Sequence, residues 1–101
     1  MALPRFETTY SVAELGREIR ALVATAFESV WVAGEVQRAR VASSGHLYFE
    51  LVEKGEGDAL AGRLDAVVWR GELAKIRPML AATGQELTDG LLLRCRVSVD
   101  F

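Results

Sequence analysis

The sequence predicts one small domain made mostly of β-strands, with a helix before the strands and a second, shorter helix among them. Four segments show apolar and polar residues in alternation, which is the two-residue period of a strand. Residues 11–27 instead have the three-and-four spacing of a helix with one apolar face. At 101 residues the chain has room for one domain and little more.

The first helix has a well-marked start. Ser11 is a favoured N-cap residue, and Glu14 three positions later completes a capping box. Tyr10 and Leu15 occupy the positions of a hydrophobic staple. We therefore predict a helix over residues 11–27 with an apolar face formed by Val12, Leu15, Ile19, Leu22, Val23, Ala26 and Phe27.

Two strands are predicted to follow. The first begins near residue 30 and extends as far as Val41, with an inward set of Val30, Val32, Gly34 and Val36 alternating with Trp31, Ala33, Glu35 and Gln37. The turn Ser43-Ser44-Gly45 leads into the second strand. Its more apolar side is assigned to the core, namely Leu47, Phe49 and Leu51, whereas His46, Tyr48 and Glu50 face outward.

In the second half of the chain, the sequence predicts a strand, a helix and a further strand. The third strand covers about residues 61–70, with Leu64, Ala66 and Val68 inward, although the pattern equally allows Val67 and Trp69 as the buried set. A short helix is expected over residues 71–82, kinked or divided at Pro78. After a turn at 88–90, the last strand occupies residues 91–100 with Leu91, Leu93, Cys95, Val97 and Val99 inward.

This order of elements is that of an OB fold, a Greek-key barrel, preceded by an additional helix. Such a barrel has five strands, and residues 29–101 supply four. The shortfall predicts that residues 1–101 form a single OB-fold domain cut from a longer protein. Strands 61–70 and 91–100 would then have open edges, through which copies of the chain are expected to associate.

Composition excludes several classes of protein. No apolar run is long enough to span a membrane, and no signal peptide is recognised, so we expect a cytoplasmic protein. One cysteine cannot form an internal disulfide. The net charge of −2 lacks the strongly basic balance of many nucleic-acid-binding proteins, yet ten of the twelve basic residues are arginine, which suits phosphate contacts.

Catalytic chemistry finds no support in the sequence. The only histidine, His46, lies in the same turn as Ser43 and Ser44. This short spacing is better explained by the formation of the turn than by a catalytic pair of a serine nucleophile and a histidine base. No zinc-protease, phosphate-loop or dinucleotide-binding motif is present. Cys95 is expected to be a small core residue. We expect neither a metal nor a cofactor.

Binding of single-stranded nucleic acid is a better hypothesis, because aromatic faces stack on bases while cations contact phosphates. The candidate binding residues are Arg38, Arg40, Ser44, His46, Tyr48, Arg63, Trp69, Arg94 and Arg96. The alternative is an OB-like module that binds another protein, in which these are ordinary residues of a solvated strand face. Trp31 is expected to pack against helix 11–27 rather than to bind a ligand.

Several strings in this order resemble the amino-terminal domain of exodeoxyribonuclease VII large subunits. They are Tyr10–Leu15, Arg17–Arg20, Val30–Val36, Ser43–Phe49, Val67–Arg70 and Arg94–Val99, and together they cover about residues 10–100. The resemblance implies an OB-fold domain that captures and orients single-stranded DNA. It also implies a parent exodeoxyribonuclease whose hydrolytic residues lie in a later domain and whose partner is a small helical subunit.

Overall fold

The computed structural model of the chain describes residues 9–57 and 59–100. Its elements, in chain order, are α1 (Val12–Ala26), β1 (Val30–Val41), β2 (Leu47–Lys54), β3 (Leu60–Val68), α2 (Arg70–Ala81) and β4 (Leu92–Val97). The described residues fall into two compact units, one drawn from residues 9–31 and 96–100 and the other from residues 32–95.

Helix α1 confirms the predicted N-terminal helix and its cap. The side chain of Ser11 accepts a hydrogen bond from the backbone N–H of Glu14 at 3.1 Å. N–H groups in the first turn of a helix have no acceptor within the helix, so this bond satisfies one of them. No described side chain of α1 is buried, and the best covered apolar residues, Ile19 and Val23, are half-buried. The apolar face of α1 is therefore largely exposed.

The four strands form one sheet in the order β3-β2-β1-β4. Strand β2 runs antiparallel to both β1 and β3, and β4 lies on the other side of β1 after the chain has passed through α2. A fourth strand that returns beside the first is the Greek-key arrangement. The predicted Greek-key arrangement is thus confirmed, and among the described strands β3 and β4 are the edges.

The pairing of β2 with β3 settles the register that the sequence left open. Phe49 is opposite Ala66 and Leu51 is opposite Leu64, so the inward residues of β3 are Leu64, Ala66 and Val68. The strand ends at Val68, two residues earlier than predicted. Trp69 is not a strand residue but the N-cap residue of α2.

Helix α2 corrects the prediction that Pro78 divides this segment. It continues through Pro78 to Ala81 as one helix. Proline lacks a backbone N–H, but its carbonyl is intact, and Pro78 O accepts a hydrogen bond from Ala82 N–H at 3.0 Å. Because Pro78 lies in the last turn, the helix loses one hydrogen bond near its end and does not break.

The core lies in the unit of residues 32–95, between the inner face of the sheet and α2. Its buried residues are Val36, Leu47, Phe49, Leu51 and Leu73, with Leu91, Leu93 and Cys95 of the last strand region packed against them. The predicted inward set of β2 is therefore confirmed. Leu64 is an exception, because it shares the inner face with Leu51 yet remains 57% exposed. The core is thus uncovered beside β3.

Gly34 allows β1 and β2 to approach closely. A Cβ atom added at Gly34 would lie 2.8 Å from the Cγ atom of Leu51 and 2.9 Å from the carbonyl oxygen of Val52. Both distances are too short for van der Waals contact. A side chain at position 34 would therefore push apart the two central strands.

Candidate nucleic-acid interface

A β-bulge in β1 determines which arginines reach the outer face of the sheet. Gln37 pairs with Glu50 and Arg40 pairs with Tyr48, so β1 has two residues between these positions where β2 has only Phe49. Strict alternation from Val36 would turn Arg40 inward, and the extra residue restores it to the outer face. Arg38, inside the bulge, has a φ of 53°, in the left-handed region.

The bulge is held by a side chain from a distant turn. The backbone N–H of Ala39 donates a hydrogen bond to Oδ1 of Asp89 at 2.8 Å. Asp89 belongs to the predicted turn at 88–90, where Gly90 has a φ of 93°. The carboxylate thus satisfies a donor that the bulge removes from the regular strand ladder.

Arg40 and Tyr48 form an aromatic–cation pair on the outer face. They are opposite each other in the register of β1 and β2, and the guanidinium carbon of Arg40 lies 5.1 Å from the centroid of the Tyr48 ring. Arg40 is exposed and Tyr48 is half-buried. Among the described residues, Arg40 has no carboxylate within ion-pair distance.

Two other candidate arginines share one carboxylate. Arg38 Nε lies 3.7 Å from Oε1 of Glu50, and Arg63 Nη1 lies 3.5 Å from its Oε2. The Glu50 side chain is only 19% exposed, whereas those of both arginines are largely exposed. Glu50 therefore brings Arg38 and Arg63 together and offsets part of their positive charge.

A groove at one end of the outer face contains Arg94. Its other lining residues include Glu35, which pairs with Lys54 (Nζ to Oε2, 3.4 Å) and also accepts a hydrogen bond from the side-chain amide of Gln37. Apolar surface in the groove comes from Ala33, Val52 and Leu92. This end of the sheet combines both signs of charge with apolar surface.

His46 has a structural role that the sequence did not predict. Its Nδ1 accepts a hydrogen bond from the backbone N–H of Arg70 at 2.9 Å, so the imidazole caps the first turn of α2. The ring also meets Trp69 edge to face, with centroids 5.0 Å apart. With Nδ1 as acceptor, the neutral ring carries its proton on Nε2. Trp69 itself remains 56% exposed.

Ser44 lies in the tight turn that joins β1 to β2. Ala42 N–H donates to His46 O, and Gly45 N–H donates to Ala42 O, both at 2.9 Å. Gly45 has a φ of 90°, which glycine adopts without strain. The turn confirms the prediction at Ser43-Ser44-Gly45 and leaves Ser44 exposed.

Arg96 belongs to the other unit, where it contacts an aromatic residue that we had expected to pack against helix 11–27. Its guanidinium carbon lies 5.9 Å from the ring centroid of Trp31. Trp31 is 57% exposed. The alternation of the first strand had placed Trp31 on the polar side, with Glu35 and Gln37.

The structure therefore groups the candidates in pairs. It joins Arg40 with Tyr48, Arg38 with Arg63 through Glu50, and His46 with Trp69. Arg94 lies in the groove, Ser44 lies in the turn before β2, and Arg96 lies in the other unit.

Other kinds of site are not evident in the part of the chain that the structure describes. No three His, Cys, Asp or Glu residues there are grouped so that they could hold a metal ion. None of the helices described there is long and apolar enough to cross a membrane. Cys95 is half-buried, and burial raises the pKa of its thiol, which disfavours the reactive thiolate.

Residues 10–101 match the family described as the OB-fold nucleic acid binding domain. This match covers nearly the whole chain and agrees with the Greek-key strand order, so the chain belongs to that family. Its similarity extends further, to a particular group of proteins, the large subunits of exodeoxyribonuclease 7.

Three relatives illustrate this similarity, each named exodeoxyribonuclease 7 large subunit. The protein from Allorhizobium ampelinum is 39% identical over 71 residues, which are 69% of this chain and 12% of the relative. That from Rhodopirellula baltica is 38% identical over 90 residues, 89% of this chain and 17% of the relative. The protein from Sulfurimonas denitrificans is 32% identical over 84 residues, which are 83% of this chain and 19% of the relative. The chain thus spans less than one fifth of these relatives.

Proposed function

We propose that the chain binds single-stranded DNA on the outer face of its sheet, and that it captures and orients the strand for a nuclease without itself cutting it. The observation that carries this proposal is the pair Arg40 and Tyr48, in which an exposed guanidinium lies 5.1 Å from the centroid of a half-buried aromatic ring. A base stacks on such a ring while the cation contacts a neighbouring phosphate. Membership of a nucleic-acid-binding family supports the ligand class.

The charge of the outer face favours weak rather than strong binding. Glu50 offsets Arg38 and Arg63, and Glu35 offsets Lys54. With a net charge of −2, the chain has no large excess of cations for long-range attraction. Stacking on Tyr48 then contributes a large share of the affinity, and only a few phosphates are neutralised.

The larger protein is part of the same proposal. Its relatives are named exodeoxyribonuclease 7 large subunits, so we place this chain in a cytoplasmic exodeoxyribonuclease that also contains a small subunit. Hydrolysis then belongs to another part of that protein. The chain contributes the positioning of the substrate strand.

The test is a titration of a fluorescently labelled oligothymidine with the chain, followed by anisotropy at several salt concentrations. We expect affinity to fall as salt rises, since bound phosphates release counterions. Tyr48→Ala weakens binding by about 1–3 kcal/mol with little change in salt dependence. Arg40→Gln lowers the slope of log K against log salt by up to about 0.7.

Lys75→Gln is the matched control for Arg40→Gln, because Lys75 is an exposed cation on α2. It leaves both the affinity and the salt dependence nearly unchanged. Absence of binding at protein concentrations near a millimolar would refute the proposal and favour the alternative, an OB-like protein-interaction module. That alternative is supported by the exposed apolar residues of the edge strands, Leu60, Leu64 and Leu92.

A further inference from the structure

We propose that Trp31 and Arg96 form a second contact site for a nucleotide, in which the indole of Trp31 stacks on a base and the guanidinium of Arg96 contacts a phosphate. This inference rests on the proposed function, because it assumes that the chain binds single-stranded nucleic acid. It assigns a ligand-binding role to a residue that we had expected to pack against helix 11–27 rather than to bind a ligand.

The exposure of Trp31 is the first observation. Tryptophan is the largest apolar side chain, and 57% of this one is accessible in the described structure. An indole at a binding surface offers a large, flat contact area and loses little conformational entropy when it binds. Every nucleobase has a π-face, so the chemistry fits single strands irrespective of sequence.

The position of Arg96 is the second, independent observation. Its guanidinium lies 5.9 Å from the Trp31 centroid, within the range of a cation–π contact. Aromatic faces and guanidinium groups together are the two components that sequence-tolerant single-strand sites use. In the same unit, the carboxylate of Asp100 lies 3.8 Å from Nε of Arg20.

A backbone hydrogen bond links the segments that contain these two residues. Val99 N–H donates a hydrogen bond to Phe27 O at 3.1 Å, which ties the segment after Arg96 to the end of α1 just before Trp31. This hydrogen bond joins the two segments of the chain that carry Arg96 and Trp31.

Trp69 is the natural comparison, since it is the only other tryptophan and is equally exposed, at 56%. Its surroundings differ, because the ring meets His46 edge to face and its backbone begins α2. Stacking a base on Trp69 would compete with a contact that helps to position the helix cap. Trp31 has a cation beside it instead.

Single-tryptophan variants test the inference directly. Trp69→Phe leaves Trp31 as the only tryptophan emitter, and Trp31→Phe leaves Trp69. Each is titrated with oligothymidine while intrinsic fluorescence is recorded, and anisotropy of a labelled oligothymidine reports binding separately. We expect strong quenching in Trp69→Phe and little in Trp31→Phe. Trp31→Ala weakens binding roughly 5- to 150-fold, the range of one base–aromatic stack.

Arg96→Gln tests the phosphate contact, with Arg17→Gln as control because Arg17 is an exposed arginine of the same unit. The slope of log K against log salt falls by up to about 0.7 in the first variant only. Binding by anisotropy without quenching of Trp31 overturns this inference and leaves the proposed function intact. Absence of binding in the anisotropy experiment overturns both.

Discussion

At the scale of single residues, carboxylates on the outer face of the sheet decide how much of its positive charge a ligand meets. Glu50 lies between Arg38 and Arg63 and is mostly shielded from solvent, so it acts on both cations at short range. A phosphate that approaches either arginine must compete with this carboxylate. Counting arginines in the sequence therefore overestimates the attraction of the face for nucleic acid.

Neutralising Glu50 should strengthen binding of single-stranded DNA. Glu50→Gln removes the competing charge, and we expect tighter binding and a slope of log K against log salt that is steeper by up to about 1.4, equivalent to two phosphates. Glu72→Gln is the matched control, because Glu72 is an exposed carboxylate of α2 and the change in net charge is identical. Equal effects of the two variants would show that only net charge matters.

His46 should contribute to stability through the cap of α2. His46→Ala removes the acceptor for Arg70 N–H, and we expect the free energy of unfolding to fall by about 1 kcal/mol, as for other lost helix caps. Urea unfolding followed by circular dichroism measures this change. Ser44→Ala in the same turn should change stability by less than about 0.5 kcal/mol, since Ser44 is exposed. A similar loss in both variants would contradict the assigned cap.

Sequence reasoning identified the types of residue at the candidate site better than their contacts. It selected Tyr48, Arg40 and Arg63 from alternation and chemistry, and all three reach the outer face. It could not show that His46 accepts a hydrogen bond from a residue 24 positions away. Such contacts depend on how elements that are distant in the sequence pack together, and a local sequence pattern does not predict that packing.

At the scale of elements, the alternation of apolar and polar residues predicted the strands. The β-bulge in β1 explains where this alternation is interrupted. The inward set of β2 follows alternation and is buried, and Ala66 and Val68 of β3 pack against it. Of the inward set predicted for the last strand, Leu91, Leu93 and Cys95 pack against the core. The strand itself is shorter than the predicted 91–100, because β4 covers only Leu92–Val97. In β1 the alternation is interrupted between Gln37 and Arg40. The N–H of Ala39 is bonded to Asp89 from a turn fifty residues later, so the interruption has a tertiary cause.

Gly34 should be intolerant of any side chain. Gly34→Ala places a Cβ against Leu51 and the backbone of Val52, and we expect a loss of about 1–3 kcal/mol in the free energy of unfolding. Gly62 is the matched control, because it is also a strand glycine and an added Cβ meets no atom within 4 Å. Urea unfolding of the two alanine variants gives the comparison. Comparable stabilities would show that β1 and β2 can separate without cost.

At the scale of the whole molecule, the order of elements along the chain predicted the fold class. It could not predict which apolar residues on the inner face of the sheet would stay exposed. Four strands and two helices in this order predicted the Greek-key sheet that the structure contains. The exposure of Leu64 on the inner face is a property of the assembled sheet. This exposure depends on which element lies beside β3. The alternation of apolar and polar residues in β3 shows which side faces inward, but not what covers that side.

The open edges should make the chain self-associate. Strands β3 and β4 are the edges of the described sheet, and unpaired strand edges invite pairing with another chain. We expect light scattering to show dimers or larger species as the concentration approaches a millimolar. Leu64→Lys should reduce this association, because a charge at the uncovered inner face opposes burial. A monomer at all concentrations would contradict the prediction.

The central claim is that single-stranded DNA contacts the outer face of the sheet at Tyr48, and the most direct measurement is an NMR titration of the chain with oligothymidine. The chain has two tyrosines, so Tyr10 serves as an internal control. We expect the ring protons of Tyr48 and the Nε–H of Arg40 to shift progressively during the titration, while the ring protons of Tyr10 do not. Shifts confined to residues outside the outer face, with Tyr48 and Arg40 unchanged at saturation, would contradict the claim.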